Sequence, residues 1–270
     1  MLIDAHTHID MYDDAALPAA LAEIAQHQIF TLSVTIDVAA YERAKQIAAH
    51  NPLIVPLFGI HPWEAHRFAD DLDRLAPLLA ESPMLGEIGL DFLLVKDKAL
   101  YPKQFEVFDY FLETAVSQQK IVNIHGLGAE TAVLERLEQF QPPTPIVHWY
   151  SGPLNLIDRY LAVGTTFTFG VELLYSEKIE QILAAIPPDR LLTETDNPGA
   201  NKHFTQQPGT PALIQQVTAK MARCRQLSPA ELDAQLNQNF TRLVASSPAL
   251  AEKWAKIQAA AHTSNKDNNE

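Results

Sequence analysis

Short apolar runs alternate along this chain with longer stretches in which apolar residues recur every three to four positions. The short runs cover residues 2–5, 29–36 (IFTLSVTI), 54–60 (IVPLFGI), 84–90 (MLGEIGL), 120–124 (KIVNI), 145–147 (PIV), 165–171 (TTFTFGV) and 190–195 (RLLTET). Many of their residues are β-branched, and turn residues bound most of them, so they predict strands. The longer stretches, 15–28, 38–50, 68–80, 102–119, 130–140, 154–163 and 176–186, predict helices, and two more follow at 210–225 and 228–246. Pro102, Pro211 and Pro229 fall where a first helical turn tolerates proline, and Ser228 with Glu231 reads as a capping box.

Eight strands, each followed by a helix, predict an α/β fold, a (β/α)8 TIM barrel with an additional C-terminal helix. A doubly wound open sheet is the alternative, but no GxGxxG turn follows the first strand. Residues 1–250 read as one barrel. Residues 251–270 read as the end of the last helix and a polar tail (HTSNKDNNE at 262–270), expected to be disordered.

In such a barrel the chemistry lies where strands end. Strand one ends in His6-Thr7-His8, and His61 follows strand three. Strand four carries Glu87, strand five ends in His125, strand six in His148, and strand eight in Asp196. Five of the ten histidines thus fall at predicted strand ends. Imidazole nitrogens and carboxylate oxygens are ligands for zinc, manganese or a similar divalent ion. Residues two apart on a strand point the same way, so His6 and His8 can reach one ion together. Taken singly, each has a plainer role: a buried histidine is commonly a hydrogen-bonded core residue, and Asp196 could cap the next helix. Together, six such groups on one barrel face would carry a heavy desolvation cost unless a cation offset it.

Composition narrows the picture. The 270 residues suit one barrel, and their 47% hydrophobic share is enough for a sizeable core. No apolar stretch is long enough for a membrane helix, and no signal peptide is apparent. Cys224 is the only cysteine, which excludes a disulfide framework and suits the cytoplasm. The net charge of −13 argues against a broad basic nucleic-acid surface. It leaves room for a phosphate cleft built on metal charge.

The segments HTHID, GIHPWEAH, GEIGLDF, IHG, HWYSG and ETDNP, in this order, resemble those of the TatD family of metal-dependent hydrolases, among the amidohydrolase-like barrels. The resemblance spans about residues 2–244. It implies a barrel holding divalent metal ions, two in the simplest case (Zn, Mn or Mg). It also implies deoxyribonuclease activity, often 3′-to-5′ on single-stranded DNA or 3′ ends. Carried over by motif, His6 and His8 resemble ligands of one metal, Glu87 the bridging carboxylate, and His125 and His148 ligands of the second. Asp196 resembles the ligand that also takes the proton of the attacking water, and His61 a contact to substrate phosphate or a further metal.

The sequence departs from the family at the rim. Members usually carry an arginine two residues after the strand-five histidine; here Gly126 and Leu127 follow His125. The usual CFSG after strand six is replaced here by Trp149-Tyr150-Ser151-Gly152. Trp149 and Tyr150 are candidate stacking residues for a base, with packing as the alternative. Glu194 and Asp91 are candidates to orient ligands, or to serve structure alone. The leading expectation is a metal-dependent phosphodiesterase acting on DNA, with Asp196 and Glu87 as catalytic groups. Alternatives are hydrolysis of an ester, amide or D-aminoacyl-tRNA, and a non-catalytic subunit of a nucleic-acid-processing assembly.

Overall fold

The structure is a computed structural model describing residues 1–267, with side chains described to residue 260. Eight strands are present among the described residues: β1 Leu2–Thr7, β2 Ile29–Ser33, β3 Ile54–Pro56, β4 Leu85–Asp91, β5 Val122–Leu127, β6 Pro145–Val147, β7 Thr166–Phe169 and β8 Leu191–Thr193. All pair in parallel with their sequence neighbours, in two ladders, β1-β2-β3 and β4 through β8. The ladders close into a barrel through sparser bonds. At one seam the Gly86 amide donates to Phe58 O at 2.8 Å. At the other the Asp196 amide donates to His6 O at 2.9 Å, and Thr193 Oγ1 to Ile3 O at 2.6 Å.

The helices are α1 Leu17–Gln26, α2 Val38–Ala48, α3 Ala76–Glu81, α4 Tyr101–Gln118, α5 Glu130–Phe140, α6 Ile157–Ala162, α7 Glu177–Ala185, α8 Lys202–Thr205, α9 Leu213–Arg225, α10 Pro229–Val244 and α11 Pro248–Asp267. The helix expected over 68–80 is shorter, a 3-10 turn at Asp73–Leu75 leading into α3. Pro77 lacks an N–H and fits only a first turn, so the regular helix starts there. The strand expected over 29–36 ends at Ser33. Beyond it the Thr35 amide bonds to Gly86 O and receives the Glu87 amide on its own carbonyl, which ties the segment to β4 instead. The Ser228–Glu231 capping box opens α10 as its sequence predicts. The last helix runs to Asp267, past the residue at which the polar tail was expected to start; residues 268–270 of that tail lie outside the described residues.

Apolar residues of the strands are fully buried, among them Ile3, Leu32, Ile88, Ile124, Ile146 and Leu192. The C-terminal helix belongs to this core. Trp254 of α11 is buried against Phe30 of β2 and Phe240 of α10, with ring centroids 5.0 and 4.8 Å away.

Candidate metal centre

Strand alternation aims the polar residues inward. Asp4, His6 and His8 sit two apart on and just after β1, and all three are buried. Glu87 occupies the middle of β4, where the flanking glycines let neighbouring backbone come close. Gly89 has φ +143°, and a Cβ there would lie 2.0 Å from His125 O. Only glycine tolerates both conditions. His148 lies one residue past β6, and Asp196 three past β8 at φ +48°. Aspartate visits this region more readily than most residues.

The side chains converge on Glu87. Its Oε2 is 3.5 Å from His6 Nε2 and 3.2 Å from His8 Nε2. Its Oε1 is 2.9 Å from both His125 Nδ1 and His148 Nε2, and 3.3 Å from His61 Nε2. Asp196 Oδ1 stands 3.7 Å from His6 Nε2 and 3.4 Å from His8 Nε2. Potential ligand atoms form three compact groups: His6, His8 and Glu87; His61, Glu87 and His125; His6, His148 and Glu194. His61 therefore lies within the cluster, beside Glu87.

Two of the rings are held from behind by hydrogen bonds. Asn123 Nδ2 donates to Ala5 O at 2.9 Å, which leaves its Oδ1 to accept from His6 Nδ1 at 2.8 Å. The proton is thereby placed on Nδ1, and the Nε2 lone pair faces the cluster. His125 Nε2 donates to Asp91 Oδ2 at 3.2 Å. Asp91 also receives the Trp63 indole N–H at 2.8 Å, and its other oxygen takes the amides of Leu93 and Leu94. Asp91 thus both fixes a loop and orients a ring. Glu194 is fully buried, with Oε2 3.7 Å from His148 Nδ1.

Burial and charge set the protonation. Burial opposes ionisation of Glu87, yet the charges of His61, His6 and His148 and the hydrogen bond from His125 hold it well below the usual carboxylate range. Burial likewise opposes charge on His8, but Glu87 and Asp196 outweigh it and raise its pKa to about 9. His148 is raised well above normal despite burial, by Glu87 and Glu194; His125 is raised despite burial by Asp91 and Glu87. For His61 burial wins over Glu87 and lowers it to about 4. Burial raises Asp196, opposed by His6, His8 and His148.

These residues fit a divalent ion. His6 Nε2 is buried with no hydrogen-bond partner while aimed at two carboxylates. Ligands bound at about 2.0–2.2 Å to one ion stand roughly 3–3.5 Å apart, close to the spacings of 2.9–3.7 Å found here. The five imidazoles and two carboxylates are an N/O donor set suited to zinc or manganese.

A cavity of about 470 Å³ opens on the cluster. His8, His61, Glu87, His125, His148, Asp196 and Trp149 line it. Tyr150, a candidate for base stacking from sequence, does not. It is buried against Tyr160 and Phe167, with its hydroxyl donating to Pro153 O at 2.6 Å. Sequence reasoning did not single out Asn123, Trp63, Glu172 or Phe204. Asn123 had a signal, its place two residues before His125 on β5. Phe204 had none, since it lies on a short helix in a loop.

Comparisons with known proteins follow this geometry. The family model described as TatD related DNase matches residues 3–245. The chain is 25% identical over 252 residues to the uncharacterized metal-dependent hydrolase YcfH of Escherichia coli K12, covering 90% of this chain and 95% of that protein. It is 26% identical over 204 residues to the 3'-5' ssDNA/RNA exonuclease TatD of Pantoea vagans, covering 68% and 75%. The crystal structure of the TatD homologue YjjV from Escherichia coli superposes with a TM-score of 0.81 at 24% identity, over 90% of this chain and 97% of that one.

Proposed function

This chain belongs to the TatD-related DNase family of metal-dependent hydrolases, and from that premise we propose that it hydrolyses phosphodiester bonds at a free 3′ end of single-stranded DNA. The observation that carries the reading is the convergence of five histidines on Glu87 beside Asp196, at the floor of an open cavity. The Pantoea relative is named for this reaction on DNA and RNA. His6, His8, Glu87 and Asp196 would hold one ion; Glu87, His125 and His148 would hold a second.

Bound divalent ions supply an acidified water and offset charge on the phosphoryl oxygens. Asp196 accepts the proton of the attacking water. Burial holds its carboxyl above the usual range, which makes it a better proton acceptor than an exposed aspartate. Glu87 stays ionised and fixes the spacing of the two ligand groups. His61, neutral at physiological pH, can donate to a non-bridging phosphate oxygen. Asn123, Asp91 and Glu194 keep the rings aimed.

With manganese or magnesium, the protein should shorten single-stranded DNA from its 3′ end. Asp196→Asn should slow this by about 10²–10⁴-fold. Undiminished cutting by that variant would sink the assignment. One observation favours a second reading, hydrolysis of a neutral ester or amide: among the described residues, none that lines the cavity is lysine or arginine. Turnover of a p-nitrophenyl ester panel with DNA left intact would replace the first reading by the second.

A further inference from the structure

The cavity's walls differ in character from its floor. Away from the cluster they are largely apolar, with Trp63, Leu94, Leu127, Trp149 and Phe204 among them, and among the described residues no lysine or arginine contributes. Two lysines near the rim are spent on backbone: Lys178 donates to Ser151 O and Lys96 to Leu93 O, each at 2.5 Å. Glu172 is the acidic group on the wall outside the cluster. A second phosphate placed there would meet a carboxylate and no counter-charge. The wall therefore favours an uncharged group beside the reacting phosphate.

The walls are also aromatic and held in place. Trp149 has φ +41°, a backbone state that bulky residues rarely adopt. Its amide donates to Glu194 Oε1 at 3.0 Å and its indole N–H to Glu172. Such a conformation persists only where the surroundings enforce it, and it concentrates at functional sites. Phe204 lies 6.3 Å from Trp149, with planes 31° apart, and stacks on Tyr175 at 4.9 Å and 14°. Tyr175 is 53% exposed, so this row of rings leads from the cavity wall to the surface.

We propose that the Trp149–Phe204 wall is a nucleobase subsite, which binds the terminal nucleoside of the substrate by stacking while Glu172 accepts an N–H from the base edge. A flat, neutral group with N–H donors matches the wall's shape, its lack of cations and its carboxylate. The substrate class this defines is a free nucleotide end or a very short oligonucleotide, carrying one phosphate into the cavity. The inference rests on the phosphodiesterase reading of the site.

Calorimetric titration of the metal-loaded protein with deoxycytidine 5′-monophosphate and with inorganic phosphate tests it. The nucleotide should bind about 5- to 100-fold more tightly, the range that stacking of one base supplies. Phe204→Ala should remove most of that advantage, and Phe204→Trp should keep it, with unchanged thermal melting showing that both variants fold. Equal affinities in the parent protein, or an advantage that survives Phe204→Ala, would overturn the subsite. Cleavage of single-stranded DNA is measured in parallel. DNA cut without a nucleotide advantage removes the subsite alone; an advantage with DNA left intact supports the subsite and removes the phosphodiesterase reading.

Discussion

Glu87 faces all five strand-end histidines, from 2.9 Å at His125 and His148 to 3.5 Å at His6. One buried carboxylate thereby raises the pKa of several imidazoles, and in the absence of metal they carry protons in its stead. His8, raised to about 9, is charged below that pH, and His125 and His148 are shifted the same way. A metal ion must displace these protons. Affinity should then rise with pH, by about tenfold per unit for each proton displaced. Binding at pH 7 should release protons, read by calorimetry in two buffers of different ionisation enthalpy. Identical heats in both would contradict the protonated cluster. His61 adds no proton in this window, because burial holds its pKa near 4. At this scale the sequence was informative because ligand chemistry is carried by residue type: the candidates His6, His8, Glu87, His125, His148 and Asp196 stood out at strand ends, and the fold brings them together. The partners of those residues were less legible. Asn123 and Trp63 act through hydrogen bonds that only the folded register brings together.

At the level of elements, β4 has the strictest sequence demands. Its ladder with β5 puts Gly89 opposite His125. Gly89→Ala would force a Cβ against the His125 carbonyl and a side chain into φ +143°. The backbone strain alone costs about 1–3 kcal/mol, and relief by moving β5 would carry His125 away from Glu87. Lower stability together with weakened metal binding is expected, by chemical denaturation and metal titration; an unchanged unfolding midpoint would show that the close approach is dispensable. Strand and helix order was readable because short apolar runs alternate cleanly with period-3.6 patterns. Boundaries were less so. Strand ends such as Ser33 are set by which neighbour offers the next hydrogen bond, and Thr35 turns to β4 for reasons no local pattern holds. Tyr150 shows the same limit: adjacent to Trp149 in sequence, it faces the core.

Across the whole molecule, the additional C-terminal helix is part of the barrel's packing. Trp254 is 2% exposed, and its indole N–H donates to Thr241 Oγ1 at 2.9 Å. Trp254→Ala should cost about 3–5 kcal/mol, seen as a lower denaturation midpoint. A loss under about 1 kcal/mol, the range typical of surface positions and modest contacts, would make α11 an appendage. Periodicity could indicate a helix here, but not that its tryptophan reaches back to Phe30 on β2. Among the described residues no helix is long and apolar enough to cross a membrane.

The two ladders divide the candidate ligands between them. His6 and His8 come from the sheet of β1 to β3, with His61 on the loop after it, whereas Glu87, His125, His148 and Asp196 come from the five later strands and their ends. Neither half has the full set. During synthesis the first two ligands leave the ribosome within ten residues of each other, but the last waits for residue 196. The centre is therefore complete only once β8 docks beside β1, and a partly made or half-opened chain lacks the full set.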